Sequence, residues 1–358
     1  MYEPTYKLDR KAKYGSLSAN NELQNRKDKE ILIDLKGINN ENIIFIPTEN
    51  IKSMTTYILH NLSKIDSNNS IEKTNIILDS YSTATIEGAR TTVDKIKEII
   101  TKNDLNKLTK SEQMVLNSIK ACNFAYSNTI NMQNIRNLFE ILTYKVCENE
   151  DVKGRFFRDG QVFVGNSTRI IHIPCKVENI EEKIREMFTW LNNSDLNVIL
   201  KSCIAHFYIV YIHPFCDGNG RLARLFNSSY MINNGYNKIR YVSLSESINN
   251  NLHDYYLKLE ESEYNYNNTL DITPFIEYMM EMICESIENT ISKYIKLSDI
   301  ELKLLSKINK NNEITVRTAA KLCNKSEADT RNILNKLTNL GYFNKNRVGN
   351  KNIYTRVK

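Results

Sequence analysis

A proline and two glycines fall within seven residues at Pro214–Gly220, in a chain that otherwise uses both sparingly: 5 prolines and 11 glycines in 358 residues. Long Leu, Ile, Asn, Lys and Glu stretches without such punctuation read as helices and not as a turn-rich β-protein. The molecule should therefore be mainly helical. The segment from His213 to Arg224 should be a loop that opens a helix.

Apolar residues recur at helical spacing within 105–150 (Leu138, Ile141, Leu142), over Ile180–Leu191, Leu196–Tyr211, Gly220–Asn233, Ser247–Glu263 and Ile272–Ile295. Ile71–Ile100 reads as two helices with Ser82–Gly88 between or within them. The period changes at Phe156–Gly165, which reads as a β-hairpin turning at Asp159-Gly160. Residues 1–70 are polar and mixed, with one strand candidate at Ile43–Ile46. No fixed period repeats, which disfavours a solenoid.

The tail has its own order. Ile300–Ile308 reads as a helix and Glu313–Thr315 as a strand. Thr318–Cys323, a turn at Asn324–Ser326 and Glu327–Leu340 form a helix-turn-helix closed by Gly341 as a C′ glycine. Tyr342–Arg347 and Lys351–Arg356 form a hairpin around Gly349-Asn350, giving a winged helix-turn-helix. Three domains are expected: 1–104, 105–296 and 297–358.

Charge follows this division. The formal net charge is +6, but residues 299–358 alone carry +8, leaving about −2 for the rest. Lys325, Arg331, Lys336, Lys345, Arg347, Lys351 and Arg356 make the tail the candidate for DNA backbone contact, or a basic face used for other partners. No apolar run reaches the length of a bilayer span, and Met1–Lys7 lacks the apolar core of a secretory signal. Seven cysteines without C-x-x-C spacing argue against a disulfide framework or a zinc site. A cytoplasmic setting and no membrane partner are expected.

Within His213–Arg224 each residue type has a chemical use. Free N–H groups at the start of the following helix form an anion hole. Gly220 lets a bulky ligand approach the backbone. Arg221 and Arg224, at i and i+3, suit a polyphosphate. Asp217 supplies one hard oxygen ligand, enough for Mg²⁺ when phosphates complete the shell. His213 is a candidate general base. Gly218–Ala223 also fits the loose dinucleotide pattern G-x-G-x-x-A. A helix-patterned segment precedes it and no βαβ unit surrounds it, so that reading is set aside.

The string His213-Pro-Phe-Cys-Asp-Gly-Asn-Gly-Arg-Leu-Ala-Arg224 resembles the Fic signature H-P-F-x-[D/E]-G-N-G-R-x-x-R at every fixed position. The resemblance extends over about 75–290. His206-Phe207 lies on the preceding helix, Phe157–Val164 resembles the family's flap, and Asp271–Phe275 its closing helix. It implies a mainly α Fic helical bundle with a small β-hairpin flap, followed by the winged helix-turn-helix. It also implies a protein adenylyltransferase using ATP and Mg²⁺. His213 would deprotonate a Ser, Thr or Tyr hydroxyl of a target protein. Asp217 would hold the metal, and Asn219 with Gly218 and Gly220 would cradle the phosphates. Arg221 would reach the α/β region and Arg224 the γ-phosphate. Phe215 would anchor the loop.

Tyr256 resembles an aromatic that packs beside the base, and Glu263 stands where relatives carry an asparagine. Gln161, Val162, Phe163 and Val164 would bind an extended target segment by strand addition. Thr83, Glu87 and Gly88 fit the inhibitory pattern [S/T]-x-x-x-E-[G/N], whose glutamate pairs in relatives with the second arginine, here Arg224. A carboxylate bidentate on Arg224 would keep it from the γ-phosphate. In some relatives that glutamate also serves removal of AMP. Self-modification and a homodimer are further implications. Two rival readings stand beside this one: a DNA-binding regulator with a nucleotide-sensing core, which would not need His213, and a transferase of UMP, phosphocholine or phosphate.

Overall fold

The computed structural model describes residues 2–65, 69–103, 105–147, 157–165, 169–294, 298–309, 312–339, 342–348 and 351–357. Phe156, Gly341 and Gly349-Asn350, used above for the flap, a helix stop and a turn, lie outside them. The chain divides into two compact units, Met1–Thr290 and Ile291–Lys358.

The first unit begins with α1 (Thr5–Lys13) and α2 (Leu17–Lys27), then β1 (Ile31–Lys36) and β2 (Asn42–Phe45). Helices α3 (Glu49–Leu62), α4 (Asn69–Ile86), α5 (Val93–Lys102), α6 (Lys110–Ala125) and α7 (Met132–Thr143) follow. A hairpin of β3 (Val164–Gly165) and β4 (Ile170–His172) leads to α8 (Ile180–Asn193), α9 (Val198–Ile212) and α10 (Asn219–Asn233). The unit closes with α11 (Leu244–Asn250), α12 (Leu252–Ser262), β5 (Thr269–Asp271) and α13 (Thr273–Tyr294), which runs past Thr290.

Helix α9 is the centre. It is apolar on every side and almost wholly buried, as a helix without a polar face must be. Asn197 caps its start by accepting from Leu200 N–H at 2.9 Å. Helix α10 packs along it, so the loop between them leaves directly from the buried core. Helix α6 starts in a capping box, Thr109 with Glu112, and packs against α4.

Strand β2 pairs antiparallel with β1 and parallel with β5, with Ile43 opposite Leu270. This pairing ties the N-terminal segment to the entry of α13. Of the three strands, only β2 falls at an expected position. The stretch Ser247–Glu263 is two helices and not one. Asn251 interrupts it at φ −120°, ψ 35°, and its amide donates to Ser247 O at 3.0 Å.

The flap is also displaced from its expected place. Val164 and Gly165 pair with His172 and Ile170, so the hairpin turns beyond Gly165 and not at Asp159-Gly160. Arg158 is buried and its backbone N–H donates to Pro214 O at 3.0 Å. That stretch is bound to the 213–214 turn and has no ladder to join. Of the expected target-binding residues, Val164 alone is in a strand; Gln161, Val162 and Phe163 precede it, and Phe163 is 60% exposed.

The second unit holds α14 (Asp299–Ser306), β6 (Glu313–Thr315), α15 (Val316–Cys323), α16 (Glu327–Asn339), β7 (Phe343–Val348) and β8 (Lys351–Arg356). Its sheet order is β6-β8-β7. Leu304, Leu334, Leu337, Phe343 and Tyr354 form its core. Two of its basic residues are structural. The Arg356 guanidinium donates to the carbonyls of Leu305 and Ile308 at the end of α14. Lys336 pairs with Glu301 at 2.9 Å. Lys345 also donates to Asn335 at 3.0 Å; it and Lys336 are exposed, as are Lys325, Arg331 and Arg347.

Candidate active site

Helix α9 ends at His213, whose backbone is left-handed at φ 51°, ψ 60°. The chain then crosses Pro214–Gly218 and re-enters a helix at Asn219. Asn219 holds this loop closed: its Oδ1 accepts from Phe215 N–H at 2.9 Å and its Nδ2 donates to Phe215 O at 2.7 Å. The Asn219 side chain is thus spent on the loop itself, and only backbone there is left for a ligand. Phe215 is buried and stacks on Phe139, with ring centroids 4.5 Å apart, and on Phe157.

Arg221 and Arg224 are both buried but diverge. Arg221 donates to Leu142 O at 2.9 Å and lies 3.0 Å from Asp217 Oδ1. It braces the loop against α7. Arg224 faces a cavity of about 770 Å³ that is also lined by Glu87, His213, Gly220 and Tyr256. Among the described residues no three His, Cys, Asp or Glu side chains group to hold a metal. Asp217 is the loop's single carboxylate, with 37% of its side chain exposed. One carboxylate completed by phosphates and water is a donor set that fits Mg²⁺ and no structural metal.

The imidazole of His213 has a defined tautomer. Its Nδ1 lies 3.3 Å from Val210 O, a carbonyl that can only accept, so Nδ1 carries the hydrogen and Nε2 keeps its lone pair. Burial pushes its pKa down to about 4, with His172 and Arg158 acting in the same direction. The ring is therefore neutral and able to take a proton throughout the physiological range. In a form free of the Glu87 contact, kcat/KM should be flat from about pH 6 to 8, where an ordinary histidine near 6.5 would lose its activity on the acid side. A rate profile rising through pH 6.5 would overturn either this lowered titration of the ring or its role as the base.

Thr83 in the last turn of α4 and Glu87, the first residue past its end, reach Arg224 together because they lie four residues apart. Thr83 Oγ1 accepts from Arg224 Nε at 2.7 Å, and Glu87 Oε1 accepts from Nη2 at 2.6 Å. The contact to Glu87 is through one nitrogen and is not the bidentate fork expected; Thr83 takes the second donor. Gly88 explains itself at φ +87°. Its N–H donates to Thr85 O and that of Ala89 to Ala84 O, a Schellman stop that leaves Glu87 at the helix end. A Cβ at Gly220 would meet the Glu87 carboxylate, so a side chain there would have to push Glu87 aside.

The opposite wall went unread in the sequence. His172 Nδ1 pairs with Glu263 at 2.7 Å and its Nε2 lies 2.7 Å from Tyr211 O. Arg169 pairs with Glu260. These join the β3–β4 hairpin to α12 along one edge of the cavity, where Tyr256 is half exposed. Only Glu263 carried a signal, as a departure from an expected asparagine.

Residues 129–231 match the family described as Fic/DOC. The chain carries a Fic/DOC domain. It is 31% identical over 147 residues to the protein adenylyltransferase Fic of Nematostella vectensis, an alignment covering 40% of this chain and 30% of that protein. It is 30% identical over 155 residues to protein adenylyltransferase fic-1 of Caenorhabditis elegans, covering 42% and 27%. The match thus spans under a third of the length of these curated relatives. Among solved structures, a Fic family protein from Desulfovibrio desulfuricans G20 superposes with a TM-score of 0.62 at 19% identity, covering 87% of this chain and 97% of that one. Fic-1 from C. elegans gives 0.52 at 20%, covering 68% and 72%. At these identities the structural likeness is one of fold: the mainly helical Fic bundle expected from the signature is the observed one. Among the described residues no helix is long and apolar enough to cross a membrane.

Proposed function

We propose that this chain is a protein adenylyltransferase that moves AMP from ATP to a hydroxyl side chain and holds itself in check through Glu87. The observation carrying this reading is that His213, with a free Nε2, shares one cavity with the buried Arg224 and the carboxylate that occupies it. The likeness of its Fic domain to proteins named protein adenylyltransferase supports the same reading.

In the reaction, His213 Nε2 takes the proton of the target hydroxyl. The hydroxyl oxygen bonds to the α-phosphorus as the bond to the β-phosphate oxygen breaks, and pyrophosphate carries the electron pair away. Backbone N–H groups at the start of α10 and the Arg224 guanidinium meet the phosphate charge, since such transfers depend on positioning and charge. Asp217 would hold Mg²⁺, which when bound neutralises phosphate charge. The test is intact mass after incubation with ATP and Mg²⁺. One or more added AMP groups on a Glu87→Gly form, absent from its His213→Ala derivative, would support the reading. A gain with another nucleotide alone would change the donor, and no gain with any donor would favour a nucleotide-sensing regulator.

The second unit reads as a winged helix-turn-helix. Among the described residues, Lys325, Arg331, Lys336, Lys345 and Arg347 of the expected set are exposed, and Lys336 and Lys345 already engage Glu301 and Asn335. Three phosphate contacts predict a log–log salt slope of about −3 for DNA binding, measured by fluorescence anisotropy. A slope near zero, or no binding at low salt, would assign the basic face to another partner.

A further inference from the structure

The sequence placed Arg158 only within the flap stretch, yet it bonds the 213–214 turn twice, through its side chain to His213 O and its own N–H to Pro214 O. Its side chain is 4% exposed. All three guanidinium nitrogens donate to backbone carbonyls: Nε to His213 O at 2.8 Å, Nη1 to Gly160 O at 2.9 Å, and Nη2 to Cys175 O. Its own N–H donates to Pro214 O. One cation thus gathers the approach to the flap, the stretch before α8 and the turn after α9.

That turn is one the chain would not choose alone. A residue other than glycine at φ 51° is already disfavoured. His213 also precedes proline, which pushes a residue towards extended backbone. The end keeps one closing bond, His213 N–H to Ile209 O at 3.0 Å, and a Schellman stop would add a second from the next residue. Pro214 has no N–H to give. Strain of this kind persists only where the surroundings over-determine it. The His213 carbonyl, whose direction the left-handed conformation sets, is the atom that Arg158 Nε holds.

We propose that Arg158 is a positioning residue for His213: its guanidinium fastens the His213 carbonyl and so keeps the left-handed turn that presents the imidazole to the cavity. The proposal rests on His213 being the base of the reaction above. Lysine cannot replace it, because a point donor cannot serve three carbonyls lying around a planar fork.

The experiment uses the full chain with labelled histidine, of which it has five. The His213 resonance is assigned by its loss in His213→Ala. The charged and titratable groups facing the ring are Glu87 from α4, His172 from β4 and Arg158 itself; Arg224, Arg169, His253, Glu260 and Glu263 line the same cavity. In Arg158→Met the titration of His213 should rise by about one unit, because a cation is removed and the turn admits water. In Arg158→Lys, on the Glu87→Gly background, the transfer rate should fall roughly 100-fold with the KM for ATP unchanged, the mark of a base moved by about an ångström. An unmoved His213 titration together with a parental rate in Arg158→Lys overturns the proposal. Should Arg158→Met fail to fold, the Arg158→Lys rate decides: a parental rate overturns the proposal, and a fall confined to kcat upholds it. Should the Glu87→Gly parent transfer nothing, the proposed function falls, while the His213 titration still decides this point.

Discussion

Replacing Glu87 by glycine is expected to raise self-modification by roughly 10- to 100-fold. The estimate comes from what Arg224 would gain. A hydrogen bond to a charged group contributes about 1.5–3 kcal/mol, which corresponds to roughly one to two powers of ten in an equilibrium constant. In the present arrangement that bond goes to Glu87 Oε1 at 2.6 Å. Removing the carboxylate frees the Nη2 hydrogen directed at it and takes away a negative charge beside the phosphate path. Arg224 would not be left adrift, because Thr83 still accepts from Nε at 2.7 Å and from Nη2 at 3.3 Å. The guanidinium should therefore stay in place with one donor exposed. Autoradiography or intact mass with ATP reads the gain. Equal labelling of the two forms would mean that the Glu87–Arg224 pair holds the helix end and restrains nothing. Glu87→Gln is the informative companion: it keeps the shape and removes the charge, so a gain of similar size would assign the restraint to charge.

What was legible in the sequence divides along physical lines. The His213–Arg224 loop was readable because short-range requirements set it: a proline, two glycines and a capping asparagine leave few backbone paths. Thr83, Glu87 and Gly88 were readable for the same reason, since a helix stop at Gly88 is a local event. Most helices from α4 onward were readable from period, whereas α1, α2 and α3 lie in the stretch 1–70 that read as polar and mixed, and Ser247–Glu263 is broken at Asn251 into two. The β1–β2–β5 sheet was not, because β5 is three residues long and its partner lies more than 220 residues earlier. The flap hairpin was misplaced because β-formers lie on both sides of Asp159-Gly160, and the choice against that turn comes from Arg158 reaching Pro214 and His213. Arg221 and Arg224 looked equivalent from spacing; that one braces α7 while the other faces the cavity depends on Leu142 and Thr83, far away in the chain. The basic face of the tail was overcounted because Arg356 and Lys336 serve α14.

Replacing His213 by alanine should lower transfer by roughly 100- to 10,000-fold, the range for loss of a positioned general base, and should leave ATP affinity nearly unchanged. The second half of the expectation is the more demanding. The imidazole contributes no donor to the phosphates in this arrangement, since its one N–H is directed at Val210 O. Phosphate binding falls instead to α10 and Arg224, which the substitution does not touch. Alanine still leaves the backbone at φ 51°, but Arg158 continues to hold the carbonyl of residue 213 and Asn219 the loop beyond it. The fold of the site should therefore survive loss of the ring, and calorimetric titration with ATP in the Glu87→Gly background can be compared with and without it. A fall in affinity parallel to the fall in rate would show that the ring orders the loop. Transfer retained at the parental rate would remove His213 as the base. In that background the cavity is also lined by His172, His253, Glu260 and Glu263 as groups able to accept a proton, and the pH profile would then separate imidazole from carboxylate.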